Sequence, residues 1–288
     1  GMQRWILGAR PRTLPAAIVP VAVGTAVATG SGVIWWRALL ALVVALALQV
    51  GTNYSNDLAD GVRGTDGPDR KGPRRLVGSG LATPAQVKVA AIAAFAVAAV
   101  AGLVLAIVVT PWLLPVGIAS IAAGWLYTGG PRPYGYMGLG EVFVFVFFGL
   151  VATVGSAYVH AREITGLAVL AGSAVGLLAC ALLVVNNLRD IPTDRAAGKR
   201  TLAVRMGERP TRILYVALLD AGLVLGSLCA LERPLSLLVM GGGLTAGPAI
   251  RSALRGAAGT DLIPVLGRTA RTQVVAGTLL ALGLALPI

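Results

Sequence analysis

Charge is what this 288-residue sequence has least of: 12% of its residues are charged, against about 25% in soluble domains. With 56% hydrophobic residues beside so little charge, an ordinary soluble domain is excluded. Histidine is almost missing. His160 stands alone and falls at the end of an apolar run opposite the acidic clusters, so histidine base catalysis beside them is not expected. The two cysteines, Cys180 and Cys229, lie inside apolar stretches without partner spacing, which predicts buried free thiols and neither a disulfide nor a metal pair. Acids are also few, 12 against 24 Lys and Arg, and the net charge is +12. On a polytopic chain such an excess sets topology, so no nucleic-acid partner is expected. No cleavable signal peptide is evident, and Gly1 ahead of Met2 reads as a cloning scar on a single domain spanning 1–288.

What is abundant is long apolar runs. A bilayer core of about 30 Å takes roughly 20 residues of helix. Nine segments approach or exceed that length: 14–30, 35–57, 85–109, 111–128, 137–160, 166–189, 211–231, 234–250 and 270–288. The expected class is all-α, a polytopic bundle of about nine transmembrane helices in two four-helix halves plus one. Alternating the loops between sides puts 21 of the 24 Lys and Arg on one side, leaving Arg37, Arg162 and Arg233 opposite. By the positive-inside rule the rich side is cytoplasmic, with the N-terminus inside and the C-terminus outside, in a cell membrane. The two long loops, 58–84 and 190–210, share that side, and loops of such length in a compact bundle are usually functional.

Seven of the twelve acids gather there: Asp57, Asp60, Asp66, Asp69, Asp190, Asp194 and Glu208. Asn56 to Asp60 and Asn186 to Asp190 repeat one spacing of four, which places each pair on one helix face. Asp190 and Asp194 repeat it again, with Pro192 expected to break or restart the helix between them. The plain alternative is solvated helix-end aspartates. Helix C-termini disfavour carboxylates, however, which argues against that alternative for clusters at these ends. Carboxylate oxygens suit magnesium, which keeps waters and shares substrate phosphate oxygens.

Basic residues follow both clusters, at Arg70, Lys71, Arg74 and Arg75 and at Lys199 and Arg200. Guanidinium and ammonium groups suit phosphate oxygens, though some of this charge is ordinary topology signal. The linker from Tyr127 through Arg132, Tyr134 and Tyr136 to Glu141 lies on the same side. Its tyrosines suit either an aromatic substrate or interface anchoring, and Glu141 either a ligand or a base. Asp220, midway along an apolar run, is open between a functional carboxylate and a structural one.

At these residues the sequence resembles the UbiA superfamily of intramembrane aromatic prenyltransferases. Asn56 to Asp60 resembles its Asn-Asp-x-x-Asp motif, and Asp190 to Asp194 its Asp-x-x-x-Asp. A third acid that many members carry is replaced here by Gly64, with Asp66 the next acid. Lys71-Gly-Pro-Arg74, Tyr127-Thr-Gly-Gly-Pro, Gly138-Leu-Gly-Glu141 and the opening Arg10-Pro-Arg12-Thr resemble the 1,4-dihydroxy-2-naphthoate polyprenyltransferases of menaquinone synthesis. The resemblance implies one or two Mg2+ ions, a polyprenyl diphosphate donor and an aromatic acceptor. It implies transfer of the prenyl group with loss of diphosphate and CO2. Asp57, Asp60, Asp190 and Asp194 would be catalytic and, with Asn56, Asp66 and Asn186, would hold the metal. Asn53, Arg63, Arg70, Lys71, Arg74, Lys199 and Arg200 are expected on the diphosphate. Arg10, Arg12, Tyr127, Arg132, Tyr134 and Glu141 are expected on the acceptor. A sister enzyme for 4-hydroxybenzoate or homogentisate, or a membrane transporter, would be the alternatives.

Overall fold

In hydrocarbon every backbone N–H and C=O must find a partner within the protein, and a helix supplies it within one segment, so long apolar runs fold as helices. The computed structural model describes residues 1–65 and 74–286, and it is all-helical, with no strand among the described residues. Helix α1 (Met2–Ala9) and its following turn meet α2 (Pro15–Val27) at a 51° bend. Then come α3 (Trp35–Arg63), α4 (Pro84–Val108) and α5 (Leu113–Leu126). Next, α6 (Gly140–Phe143), a π-helix (Val144–Val151) and α7 (Ala152–Ala161) form one continuous span. The second half holds α8 (Gly166–Ala196), short α9 (Leu202–Met206), α10 (Glu208–Leu228), α11 (Gly243–Leu254) and α12 (Leu262–Ala285).

Local chemistry sets the starts. Thr83 and Gln86 form a reciprocal capping box around Pro84 at the head of α4. The Thr165 hydroxyl accepts from the Ala168 N–H at the head of α8. Helix α8 is the centre of the bundle, with 67% of its most apolar stretch buried against 28–39% for the five other long apolar spans. It packs on α10 and on the π-helix. There Gly149 meets Gly172 and Gly176, and a Cβ on Gly149 would stand 2.5 Å from the Gly176 Cα. Helix α2 packs against α12 and α7, so the first and last long helices adjoin.

The described residues of the nine expected segments lie largely in helical elements, but length and composition make six described helices spans, or seven counting the bent α1–α2 pair. Helix α5 has 14 residues, about 21 Å at 1.5 Å each, and α12 carries Arg268 and Arg271 within its 24 residues. The segment at 137–160 differs from a plain α-helix through the eight-residue π-helix, a form frequent at functional sites. A larger correction concerns Pro192. Helix α8 runs through it to Ala196, so Asp190 and Asp194 stay on one helix. Proline removes one ladder hydrogen bond, but Leu188, Ile191 and Asp194 on either side are buried, and that packing holds the helix.

The three isolated basic residues share one use. Arg37 donates to the Val159 carbonyl at the end of α7, and Arg162 to Val108 at the end of α4. Arg233 donates to Leu284 near the end of α12 and to Val27 at the end of α2. Each satisfies carbonyls that a helix C-terminus leaves unpaired.

Candidate active site

Helix α3 carries Asn53, Asn56, Asp57 and Asp60 on successive turns of its last stretch, and α8 carries Asn186, Asp190 and Asp194 on its own. Between them lies the turn after α5, a 3₁₀ stretch at Tyr134–Met137 that ends on Gly138 at φ 81°. The turn brings the two motifs into one neighbourhood. Its Tyr136 hydroxyl donates to Asp60 Oδ1 at 2.6 Å, and its Tyr136 carbonyl accepts from the Arg200 N–H at 3.0 Å. Asp60, Asp194 and Glu141 all act electrostatically on the Tyr127 phenol. Burial pushes the Tyr136 phenol above its ordinary range, and the Asp60 charge and hydrogen bond push it further.

The four aspartates are held differently. Asp57 is 1% exposed, and both its oxygens accept backbone N–H groups, Leu76 at 2.8 Å and Val77 at 2.9 Å. It therefore anchors the segment that follows the first basic cluster. Asp60 is 5% exposed, and among the described residues its hydrogen bonding is confined to one oxygen. Asp190 is gripped through both oxygens by Arg189, whose Nη2 also reaches Asn186 Oδ1 at 2.9 Å. Asp194 is buried, and its backbone carbonyl accepts from the Lys199 N–H at 2.8 Å, folding the basic loop back over the helix end.

Asn56 Oδ1 accepts from the Thr128 hydroxyl at 2.7 Å. Asn53 faces elsewhere. Its Nδ2 donates to the Ala9 carbonyl and to the Thr13 hydroxyl, and its Oδ1 accepts from Gln49, so these contacts hold the α1–α2 junction. Arg10, at φ 52°, donates to the Asn53 carbonyl in that junction. Arg63 donates to the Thr128 and Gly130 carbonyls and lies over the Tyr136 ring. Lys199 also lies over that ring. Arg12, Arg74, Arg132 and Arg200 are exposed around the same end. Asp66, Asp69, Arg70 and Lys71 lie outside the described residues.

Among the acceptor candidates, Tyr127 stacks on Phe143 at 5.1 Å and meets Tyr134 edge-on at 5.6 Å. The Tyr134 hydroxyl is spent on the Ala123 carbonyl of α5. Glu141 Oε1 accepts from Asn187 Nδ2 at 3.3 Å. Beneath these rings opens an apolar cavity of about 140 Å³. Thr52 and Phe143 line its upper end, Phe147 and Ser120 its middle, and Leu105 and Val159 its floor. Along α3 its lining runs from Thr52 to Ala41, about 16 Å of helix.

Oxygen donors of this kind fit magnesium, which takes one or two protein carboxylates and completes its shell with water and phosphate. Among the described residues no three acidic, cysteine or histidine groups are already gathered to hold a metal. Asp220 stands apart, exposed on α10. Tyr136 and Arg189 join this site without a motif to mark them: Tyr136 is one of three tyrosines in its linker, and Arg189 one of many cations on the basic side.

Residues 17–262 match the family described as the UbiA prenyltransferase family. The 1,4-dihydroxy-2-naphthoate octaprenyltransferase of Mycobacterium tuberculosis is 51% identical over 277 residues, covering 94% of this chain and 93% of that one. The Escherichia coli protein of the same name is 43% identical, over 77% and 74% of the two chains. Among solved structures, a UbiA homologue from Archaeoglobus fulgidus bound to GPP and Mg2+ superposes with a TM-score of 0.71 at 16% identity, covering 96% of this chain and 99% of that one. An apo UbiA homologue from Aeropyrum pernix gives 0.73 at 16%, covering 92% and 96%. At those identities the likeness is one of fold.

Proposed function

This chain belongs to the UbiA prenyltransferase family, and we propose that it transfers a polyprenyl group from polyprenyl diphosphate to 1,4-dihydroxy-2-naphthoate. Diphosphate and CO2 are lost, and demethylmenaquinol forms. The observation that carries this is the meeting of two aspartate motifs and basic side chains over an apolar cavity. The 51% identity to a naphthoate enzyme along almost the whole of both chains supports the choice of acceptor.

Asp60, Asp190 and Asp194, with Asn56 and Asn186, would hold magnesium, and Asp66 would join from the loop after α3. When bound, magnesium supplies charge that makes diphosphate a better leaving group. Lys199, Arg200 and Arg63, with Arg70, Lys71 and Arg74, would grip phosphate oxygens and stabilise the charge that develops as the allylic C–O bond lengthens. Asp57 would act by fixing the chain at Leu76 and Val77, and Asn53 by fixing the entry to α2.

The acceptor ring would sit by Tyr127 and Tyr134, with Arg10, Arg12 and Arg132 at hand for its carboxylate and Glu141 to take a phenolic proton and return it to the same oxygen once CO2 has left. The electron-rich ring carbon that bears the carboxylate attacks the allylic carbon, and CO2 departs from that same carbon. Aromatic and aliphatic walls exclude water from the allylic cation, and the isoprenoid tail occupies the cavity between Thr52 and Val159. The positive-inside pattern supports a cytoplasmic site in the cell membrane, with the N-terminus inside and the C-terminus outside.

The test is prenyl transfer by purified protein in detergent, with and without magnesium, with dihydroxynaphthoate and 4-hydroxybenzoate competing as acceptors. Magnesium-dependent product from the naphthoate is expected. Product from the benzoate alone would move the acceptor assignment, and no diphosphate release from either would overturn the reading.

A further inference from the structure

Tyr136 touches Asp60 of the first motif and the basic loop that follows the second, and we infer that it is a positioning residue for the diphosphate site, orienting Asp60 and the basic side chains Arg63 and Lys199. This rests on the proposed diphosphate chemistry.

The geometry has three parts. At its polar end the phenol gives its proton to Asp60 Oδ1 at 2.6 Å. Thr65 Oγ1 lies 2.9 Å from the same phenol oxygen. Since the phenol proton is committed to the carboxylate, Thr65 is the donor to it, and a chain of hydroxyls ends on Asp60. At the ring, the Arg63 guanidinium and the Lys199 ammonium each lie 5.2 Å from the centroid. Arg63 belongs to the end of α3, and Lys199 to the loop after α8. At the backbone, the Tyr136 carbonyl holds the Arg200 N–H. Gly138, at φ 81°, lets this turn approach that loop, because a Cβ there would stand 3.4 Å from the Arg200 carbonyl and 3.1 Å from Arg205 Nε of α9.

What recommends tyrosine is what it leaves free. A salt bridge from Lys199 to an aspartate would use up an N–H and cover a carboxylate oxygen. A cation held on a ring face keeps its three N–H donors for phosphate. A phenol likewise engages a single oxygen of Asp60, and the carboxylate keeps its other oxygen for a metal. Tyr136 thus orders groups from the first motif and from the second basic loop without occupying the Asp60 and Lys199 atoms that would do the work. Such a hold is weak for Lys199, which suits a side chain that must turn from ring to phosphate when the donor arrives, whereas Arg63 is also held by the Thr128 and Gly130 carbonyls.

Tyr136→Phe keeps the ring and removes the bond to Asp60. Tyr136→Leu removes both. Wild type and both variants would be purified in detergent, checked for folding by melting temperature, and titrated calorimetrically with magnesium pyrophosphate. Trypsin cleavage after Lys199 and Arg200 would be followed in parallel by mass spectrometry. Tyr136→Phe is expected to bind about tenfold more weakly, the effect of one charge-assisted hydrogen bond, with its loop still protected. Tyr136→Leu is expected to bind more weakly again and to be cut several-fold faster at the two basic sites. In turnover, the KM for polyprenyl diphosphate should rise more than kcat falls.

If wild type binds magnesium pyrophosphate and Tyr136→Phe binds it equally well, this inference fails while the functional reading stands. Failure of wild type itself to bind would overturn that reading and this inference with it. Should Tyr136→Leu not fold, Tyr136→Phe decides.

Discussion

Arg189 grips the carboxylate of its own sequence neighbour Asp190 with two parallel hydrogen bonds, 2.7 Å from Nε and 2.8 Å from Nη2. Adjacent residues on a helix do not ordinarily face each other, so such a fork between them is uncommon. Here it supplies the second aspartate motif with a cation of its own.

Removing that cation should expose the dependence. Arg189→Ala leaves Asp190 and Asn186 facing each other without a donor. Since the Asp190 side chain is 18% exposed, the loss should be about 2–3 kcal/mol, below the range for a fully buried pair. Denaturant unfolding in detergent would measure it. Added magnesium should narrow the gap to wild type, by linkage to the folded state. A gap unmoved by magnesium would count against an ion beside Asp190.

Asp60 and Asp190 should each be indispensable to turnover. Replacement of either should lower kcat by at least about 10²-fold, the scale of losing one group that stabilises transition-state charge. Asp60→Ala is a fair probe, but Asp190→Ala strands the Arg189 charge. Asp190→Asn is cleaner, because an amide oxygen still accepts from Arg189. Near-wild-type rates in either folded variant would sink the metal assignment.

Asp57 should separate stability from chemistry. Asp57→Ala orphans the N–H groups of Leu76 and Val77, at about 1–3 kcal/mol for each buried donor. Leu76 is wholly buried, so water cannot replace the lost acceptor there. The expected signs are a lower melting temperature and faster tryptic cleavage after Arg74 and Arg75. An unchanged digest would contradict the anchoring role.

His160 should matter little. Its Nδ1 accepts the Ile34 N–H at the start of α3, at the end of the bundle away from Asp60. His160→Ala should retain most of the activity, measured as initial rate at saturating donor. A folded but inactive variant would overturn the topology derived for this chain.

Arg233→Ala should do the reverse of an active-site change. It strips hydrogen bonds from Leu284, Val27 and Thr29, at roughly 1–2 kcal/mol. The melting temperature should fall while KM stays put. A raised KM would mean that this end communicates with the site.

Much of this was legible in the sequence because it rests on periodicity and length. Apolar runs must become helices, and a spacing of four must share a face. Pro192 misleads because its local rule concerns one hydrogen bond, whereas its neighbours Leu188 and Ile191 are fixed by the core. The π-helix leaves no mark in the string VFVFFGLV, because it answers to Gly149 packing on Gly172 and Gly176. At the site, the aspartates were visible by type and spacing. What sequence could not show is which donors they already hold: the amides of Leu76 and Val77 for Asp57, Tyr136 for Asp60 and Arg189 for Asp190. Such pairings join distant loops, or adjacent residues in an uncommon geometry.

The three arginines that cap helix ends bear on how the folded molecule meets ions and lipids. While the chain is being threaded into the bilayer, Arg37, Arg162 and Arg233 count as positive charges like any others. Once it has folded, each faces the negative end of a helix dipole. The electrical contrast between the two ends of the finished protein is therefore steeper than a tally of its sequence. Anionic headgroups and salt should act on it mainly at the end where the aspartates lie.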